Sequence, residues 1–545
     1  MASNRYNGFD LPCGTTQAPY IVIHISFDSR AELDRRANLY IATPTMAPSA
    51  TTSANGSIPV ANGDGHTNAA ASSSKSTPGD YTSYLSVAAR SRLPSPIRSL
   101  FPAEKIPGMI SLLAGKPNAD TYPIANMSLQ LKPVEEGGEA KNLVIQGADL
   151  EEALQYGMTD GLPRLNSWLV NLQSTVHRCP VDPPNWKVTL GTGSQDLLNK
   201  SFEALLDPEV DSILCESPAY AGILPCLSAL RVNIVSVESD EQGLSAKALS
   251  EILASWPSDR RLPKAIYTTP TGANPSGTTS TEQRKGDVLS ICRQYGILIL
   301  EDDPYYYLNF EGLEEDSVTR VRPQSYFSLD QQHPEPSKRG LVLRYDSFSK
   351  ILSGGMRLGF MTANPTFTTA IDRTSASANL HCSGVAQAVA LAILEHWTLP
   401  GFLQHVDRVA TFYKERRDRF EGAARRILGG EPEGDAPRRP AVAHWITPKA
   451  GMFLWLQLRL PRTDASGASS SSDEMDSFEI ISNEAKAAGV LAVPGKAFMP
   501  NGEPSCYVRT SFSLLPEDQF DEGFRRLRGV VEKVWEKSGQ EMTAM

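Results

Sequence analysis

The chain has 545 residues, enough for a large core and more than one domain, and its 41% hydrophobic and 21% charged residues are the balance of an ordinary globular protein. A net charge of -10 argues against a general nucleic-acid surface, which needs a basic patch to displace counterions, and no apolar run reaches the roughly 18 residues of a membrane span. Seven cysteines without a CxxC pair and eight histidines without an HExxH pattern read as reduced thiols and no metal site.

Taken in order, residues 1–80 read as a poorly ordered extension. Tyr20–Ile25 is a lone strand candidate, and residues 46–79 are rich in Ala, Ser, Thr, Gly and Asn, too apolar-poor to order themselves. Asp10, Asp28, Glu32 and Asp34 count against a mitochondrial leader, and no charged start with an apolar core marks a secretory one, so cytoplasm is the expected compartment. Residues 81–160 are expected to form an arm and a segment of a small domain, with a short helix from Tyr81 to Leu100, a short strand at Ile110–Leu112 and a helix at Leu150–Gln155. A proline-started helix follows from Pro163 to His177.

From 187 onward short apolar runs alternate with helical patterns. Strands are expected at 187–190, 212–215, 233–237, 265–268, 297–300, 341–345 and 358–363. Helices are expected from Ser194 to Leu206, near Ala221, and over 245–253, 281–295, 384–397 and 401–427. Continuous apolar runs between helices mean a mostly parallel sheet covered on both faces. Residues 311–340, charged and proline-rich, read as a surface insertion, and Gly429–Arg439 as a loop. A smaller α/β signal closes the chain. Its strands are expected at 451–458, 490–493 and 506–512, its helices at 477–488 and 517–537, and a Ser-rich loop at 465–472. The boundaries that follow are 161–400 for a large domain and 401–545 for a small one.

Ligands on such sheets bind at the carboxyl ends of the strands, and the polar residues cluster there. Gly191-Thr192-Gly193-Ser194-Gln195 opens a helix, which presents free N–H groups to an anion, or Ser194 simply caps the helix. Tyr220 follows the next strand and either faces a planar ring or marks a helix entry. Asn274, before Pro275 in a run of turn formers, is a donor in a fixed place. Glu301-Asp302-Asp303-Pro304-Tyr305 puts carboxylates directly after four aliphatic residues, where a buried one needs a cationic partner; a solvated loop accounts for one of them and hardly for all three. Asp346-Ser347-Phe348-Ser349-Lys350, with Arg357 seven positions later, sets a lone lysine on a strand-to-loop corner. Lysine forms Schiff bases with carbonyls, while serines and an arginine hold phosphate. A carbonyl and a phosphate on one molecule describe pyridoxal phosphate. Arg509, within the short apolar strand 506–512, either grips a carboxylate ligand or pairs structurally with Asp or Glu.

These stretches, with Ile110–Asn118, Gln155-Tyr156-Gly157 and Gly161-Leu162-Pro163, resemble fold-type I pyridoxal-phosphate-dependent aminotransferases over about residues 81–540, and most closely the fungal aromatic and 2-aminoadipate/kynurenine branch. The resemblance implies an α/β large domain with a mostly parallel seven-stranded sheet, a small α/β C-terminal domain and a homodimer. It implies Lys350 as the Schiff-base and proton-transfer residue, Asp302 against the pyridinium nitrogen, and Asn274 and Tyr305 on the ring hydroxyl. Tyr220 would stack on the ring. Ser194, Gln195, Ser347, Ser349 and Arg357 would hold the phosphate, with Tyr156 reaching the neighbouring subunit's. Arg509 would bind the substrate α-carboxylate beside Asn274, and Gly115 would line the pocket. The turn reads Thr271-Gly272-Ala273-Asn274-Pro275-Ser276-Gly277, departing from the family's usual glutamine before the asparagine and threonine after the proline. The implied reaction is ping-pong transfer of an amino group from Tyr, Phe or Trp to a 2-oxo acid such as 2-oxoglutarate. The alternatives are 2-aminoadipate transamination and, remotely, a transcription regulator that senses pyridoxal phosphate. No membrane or nucleic-acid partner is implied for the enzyme.

Overall fold

The computed structural model describes residues 80–542 apart from 114, 134–137, 181–184, 431–438 and 462–475. The strand candidate at 20–25, the low-complexity run 46–79 and the Ser-rich loop 465–472 lie outside the described residues, as does most of the 429–439 loop.

A two-stranded antiparallel ribbon, β1 (Met127–Leu131) and β2 (Lys141–Ile145), comes first; no strand is expected there from the sequence. The large sheet follows with β3 (Lys187–Gly191), β4 (Ser212–Ser217), β5 (Asn233–Asp240), β6 (Gly243–Leu244), β7 (Ala265–Thr268), β8 (Leu298–Asp302), β9 (Val342–Ser347) and β10 (Gly359–Ala363). Their spatial order is β3-β10-β9-β8-β7-β4-β5-β6. The run from β9 to β5 is parallel, while β10 is antiparallel to both its neighbours. The two-residue β6, antiparallel to β5, adds an eighth strand to the seven expected.

Alternate residues of these strands enter two separate cores. Ile299, Ile266 and Val342 join one, under Leu165, Leu169, Val288 and Leu391; Leu298, Leu300, Leu343 and Tyr267 join the other, under Leu197, Phe202 and Phe367. With both faces covered, strand interiors are mostly apolar, which is why the strands read as nearly continuous apolar runs, with Thr189, Arg344 and Thr362 as buried polar exceptions.

The smaller sheet is antiparallel throughout, in the order β11-β12-β14-β13, with β11 (Ala443–His444), β12 (Phe453–Leu458), β13 (Val493–Pro494) and β14 (Tyr507–Ser511). Its core is closed by the helix Phe520–Ser538 through Phe520, Phe524, Leu527, Val531 and Val534, the expected apolar stripe. The helical run Gly384–Ile427 is interrupted at Thr398, whose backbone is non-helical (φ 57, ψ 178), matching the break expected between 397 and 401.

Three expectations are corrected. Residues 110–112 form no strand: Ile110 and Leu112 are almost fully exposed and have no neighbouring edge to pair with. The strand at 490–493 shrinks to Val493–Pro494, because Pro494 has no N–H for a ladder and Leu491 turns out to solvent. The region 311–340 is not a surface insertion between Arg320 and Gln331. The helix Tyr326–Gln331 buries Tyr326 and Phe327 completely, and Arg320 and Arg322 both turn inward onto Asp407 at 2.8 and 2.7 Å. Burying two aromatic side chains is worth about 1.5–3 kcal/mol each, more than a charged, proline-rich composition opposes. Phe327→Ala should therefore destabilise the protein by about 3–5 kcal/mol in denaturant unfolding, where a surface insertion would show almost no change.

Candidate active site

The corner after β9 is fixed from below. Phe348 is buried against Phe360, its N–H donates to the Leu358 carbonyl at 3.1 Å, and its own carbonyl accepts from Leu352 N at 2.8 Å. Ser347 Oγ accepts from Ser349 N at 3.2 Å, capping the single turn Phe348–Lys350. Since β9 and β10 are antiparallel neighbours, this turn and its sequel up to Gly359 form one short connection, with Ser347 opposite Gly359 in the ladder. His405 Nε2 donates to the Ile351 carbonyl at 2.7 Å from the long helix. Lys350 Nζ lies 5.9 Å from the centre of the Tyr305 ring. Burial lowers the proton affinity of this amine, and the charges of Arg509 and Arg357 lower it further, against an opposing pull from Asp302.

An anion cradle adjoins the lysine. The helix Ser194–Leu205 begins after Gly193 without a side-chain cap, so Ser194 does not serve as the cap its sequence allows, and Ser194 and Gln195 of the first turn line the cavity. Arg357 sits in the left-handed region at φ +51 and sends Nη1 to Ser349 Oγ at 3.2 Å and Nη2 to the Thr192 carbonyl at 3.3 Å. The approach requires glycine: a Cβ on Gly193 would lie 2.6 Å from Arg357 Nη2, and one on Gly359 2.7 Å from the Ser194 backbone N. Gln195 Nε2 donates to the Gly222 carbonyl at 2.9 Å, and its buried Oε1 finds no partner among the described residues.

The opposite end is acidic. Asp302 Oδ2 accepts from the Tyr267 hydroxyl at 2.7 Å, while the buried Oδ1 has no partner among the described residues. Burial pushes the Asp302 carboxyl up to about 7; the Tyr267 hydrogen bond and Arg344 oppose the rise, and Asp303 and Asp346 add to it. A carboxyl held this high is poised for a cationic partner. Neither Glu301 nor Asp303 is a solvated loop residue: both are buried on the other face of the sheet with Arg344.

From the smaller sheet, Arg509 donates Nη1 to Asn274 Oδ1 at 2.8 Å, with its guanidinium 4.4 Å above the Phe453 ring and 5.1 Å from that of Phe498. No carboxylate among the described residues pairs with it, and its buried Nε is unpartnered, so the structural ion pair weighed for this residue is not found. The Asn274–Pro275 peptide is cis.

Ser194, Gln195, Tyr220, Asn274, Asp302, Tyr305, Ser347, Ser349, Lys350, Arg357 and Arg509 line one cavity of about 330 Å³. Thr269, Pro304 and Phe453 complete its wall, and neither they nor Tyr267 behind Asp302 have a site role assigned from the sequence. Tyr156 and Gly115 are not part of it. They line a separate hollow of about 270 Å³ with Ile97, Phe101 and Leu380, and Tyr156 is half exposed, edge-on to His381. Among the described residues no group of His, Cys, Asp or Glu has metal-site geometry, and no helix is long and apolar enough to cross a membrane.

The residues fit pyridoxal phosphate. A helix start without a side-chain cap, with Arg357 and two serines, suits a phosphate, an orphaned carboxylate oxygen suits a protonated ring nitrogen, and a lysine amine of depressed basicity suits a carbonyl. The comparisons agree. Residues 128–527 match the family model "Aminotransferase class I and II". The chain is 42% identical to the aminotransferase tdiD of Emericella nidulans over 81% of this chain and 93% of that one. It is 34% identical to the mitochondrial kynurenine/alpha-aminoadipate aminotransferase of Mus musculus over 83% and 99%. It is 32% identical to the L-tyrosine:2-oxoglutarate aminotransferase atrD of Tapinella panuoides over 76% and 80%. Among solved structures, the alpha-aminoadipate aminotransferase LysN of Thermus thermophilus, complexed with N-(5'-phosphopyridoxyl)-L-leucine, superposes with a TM-score of 0.58 at 25% identity, covering 72% of this chain and 86% of its own. The chain thus belongs to the class I and II aminotransferases, with pyridoxal phosphate as its cofactor.

Proposed function

We propose that the enzyme moves the amino group of an aromatic L-amino acid (tyrosine, phenylalanine or tryptophan) to a 2-oxo acid, with 2-oxoglutarate as acceptor, in a ping-pong cycle. The observation that carries the reading is Arg509: a partly buried guanidinium with no carboxylate of its own, oriented by Asn274 and set against Phe453 and Phe498 at the cavity wall. Its fork suits the α-carboxylate common to donor and acceptor, and the rings beside it suit an aromatic side chain. The tyrosine relative named above supports that choice of donor.

Pyridoxal phosphate, when bound, supplies a carbonyl to capture the amine and an electron-withdrawing ring. The chain does the rest. The Ser194 helix start, Ser347, Ser349 and Arg357 hold the phosphate. Asp302 Oδ1 holds the proton of the ring nitrogen, braced by Tyr267. Asn274 and the Tyr305 hydroxyl would hold the ring oxygen, and the Tyr220 ring would lie against the ring face. Lys350 Nζ, kept a free base more readily by its burial and two neighbouring arginines, takes the proton from the substrate α-carbon and returns it one position along.

A second reading, 2-aminoadipate as donor, has support from the Mus musculus and Thermus thermophilus proteins. The cations lining the cavity are Lys350, Arg357 and Arg509, each with a role already, so a side-chain carboxylate, the acceptor's included, needs a cation from beyond this wall. A homodimer would bring one closer. Tyr156 and Gly115 edge a hollow among exposed apolar residues, Ile97, Leu112 and Leu380, a surface suited to a second copy that would receive Tyr156 at its phosphate. On the same reading the domain division at about 160 and 400 and a cytoplasmic location are retained.

Lys350→Ala should lose the visible absorption of the lysine-bound cofactor and lower kcat more than about a thousandfold; turnover at the original rate would refute the proposed lysine role. Arg509→Ala should raise KM for amino donor and oxo acid alike, by roughly tenfold to a hundredfold or so from a loss of about 1.5–3 kcal/mol in charged hydrogen bonds. Steady-state kinetics with tyrosine, phenylalanine, tryptophan and 2-aminoadipate separate the two donor readings: no turnover with any aromatic donor would sink the first.

A pH dependence also follows from Asp302. Its folded-state carboxyl lies near 7 against an ordinary 3.8, so its contribution to stability is complete below about 3.8 and is lost as pH rises through 7. Cofactor-free protein should lose about 4 kcal/mol of unfolding free energy over that interval from this group, a slope missing in Asp302→Asn.

A further inference from the structure

Behind Asp302, on the other face of the sheet, lies a buried charge cluster that the proposed chemistry does not use. In the parallel ladder Glu301 stands opposite Arg344, and Asp302 opposite Tyr345. The side chains alternate, so Glu301, Asp303, Arg344 and Asp346 share one face and Asp302 points to the other. Arg344 Nη1 lies 3.0 Å from Asp303 Oδ2 and 3.3 Å from Glu301 Oε1, while Nε and Nη2 grip Asp346 at 3.0 and 2.8 Å. The guanidinium rests 4.7 Å over the Tyr306 ring. Three carboxylates thus share one guanidinium.

The neutral hydrogen bonds are unevenly spread. Glu301 accepts the Tyr326 and Phe327 N–H groups at 2.8 and 3.0 Å, and Asp346 accepts from Gln173 Nε2 at 3.0 Å. Asp303 Oδ1 is buried without a partner among the described residues. Lys285, the other buried cation acting on the cluster, spends its Nζ on the Gln324 carbonyl at 2.7 Å. His177, packed on Tyr306, is held neutral by burial. Burial pulls Glu301 and Asp346 toward their protonated forms and Arg344 opposes it, so the acids outnumber the one guanidinium they share, on the face of the strand opposite Asp302.

We propose that Asp303 and Asp346, held over Arg344, are tuning residues for Asp302: the negative charge of three carboxylates on one guanidinium makes the Asp302 end of the cavity select a cation, and so the protonated form of the cofactor ring. The proposal rests on the assignment of Asp302 to the ring nitrogen. Asp303 and Asp346 act on Asp302 in the direction that retains its proton, and Arg344 acts against them. The remaining groups facing Asp302 are the phenols of Tyr267, Tyr345, Tyr220 and Tyr305, all held neutral by burial, and the amine of Lys350.

The test uses cofactor-free full-length protein and pyridoxine 5'-phosphate, whose alcohol replaces the aldehyde and cannot bond to Lys350. Its Kd is measured by fluorescence titration across neutral pH. Below the pH at which Asp302 ionises, binding a protonated ring must expel one proton, so Kd weakens on acidification with a break at that pH. Asp302→Asn should abolish the break; if it persists, the assignment of Asp302 falls. With the break present in wild type and absent in Asp302→Asn, Asp346→Asn should move it downward by roughly half a pH unit or more, about a threefold change in the proton equilibrium. Asp303→Asn should shift it the same way and serves if the first variant does not fold. The double variant Arg344→Gln/Asp346→Asn restores the cluster's net charge and should bring the break back toward wild type. Mere loosening of the strand would admit water to Asp302 and push the double variant further down. An unmoved break in the single variants, or a further fall in the double, overturns the tuning role.

Discussion

A sheet sealed on both faces has little room for polar side chains except at its strand ends. That constraint governs the molecule. The strand interiors divide their apolar side chains between the two cores, and Glu216, Asp302, Asp346 and Ser347 all come within the last two residues of their strands. There the burial is still deep, since Asp302 and Asp346 are each 3% exposed. Such groups meet their needs from each other, from backbone N–H groups or from a ligand. Where the protein supplies every partner, as for Glu216 with Thr268, Thr269 and Ser239, the residue is structural; where one oxygen is left over, as at Asp302, the site is open to chemistry.

The same constraint explains what could be read in advance. Lys350, Asp302, Ser194 and Asn274 stand out because they interrupt apolar runs at places where turn-forming residues also gather, so position and chemistry coincide in the sequence. Tyr267, Thr269 and Phe453 do not stand out. A tyrosine inside a strand looks like any core aromatic, and only the sideways neighbour two strands' worth of chain away, Asp302, makes its hydroxyl a support. Arg344 is hidden for the converse reason: a single arginine in an apolar strand says nothing about three carboxylates that reach it from both flanking stretches.

The errors share a cause as well. Composition at 311–340 describes polarity, yet Arg320 and Arg322 reach inward because Asp407 on the long helix is there to receive them. Apolar residues at 110–112 and 490–493 suggest strands, but a strand needs a partner edge, and none is offered to the first, while Pro494 limits the second. Tyr156 and Gly115 sit together in a hollow apart from the lysine, a placement that no local signal in the chain could convey.

The long helix has two allegiances, and they change about two to three turns beyond the break at Thr398. Up to Val406 it packs into the core of the large sheet, and from Ala410 onward into that of the small one. His405 sits at the handover, stacked on Trp397 and hydrogen-bonded to the carbonyl next to Lys350. The lysine is thereby harnessed to the member that also carries the small sheet, and with it Arg509. The backbone beside the lysine and the sheet that bears the arginine thus hang on successive turns of a single rod, which fixes the span between the two cations more firmly than the cavity lining alone would.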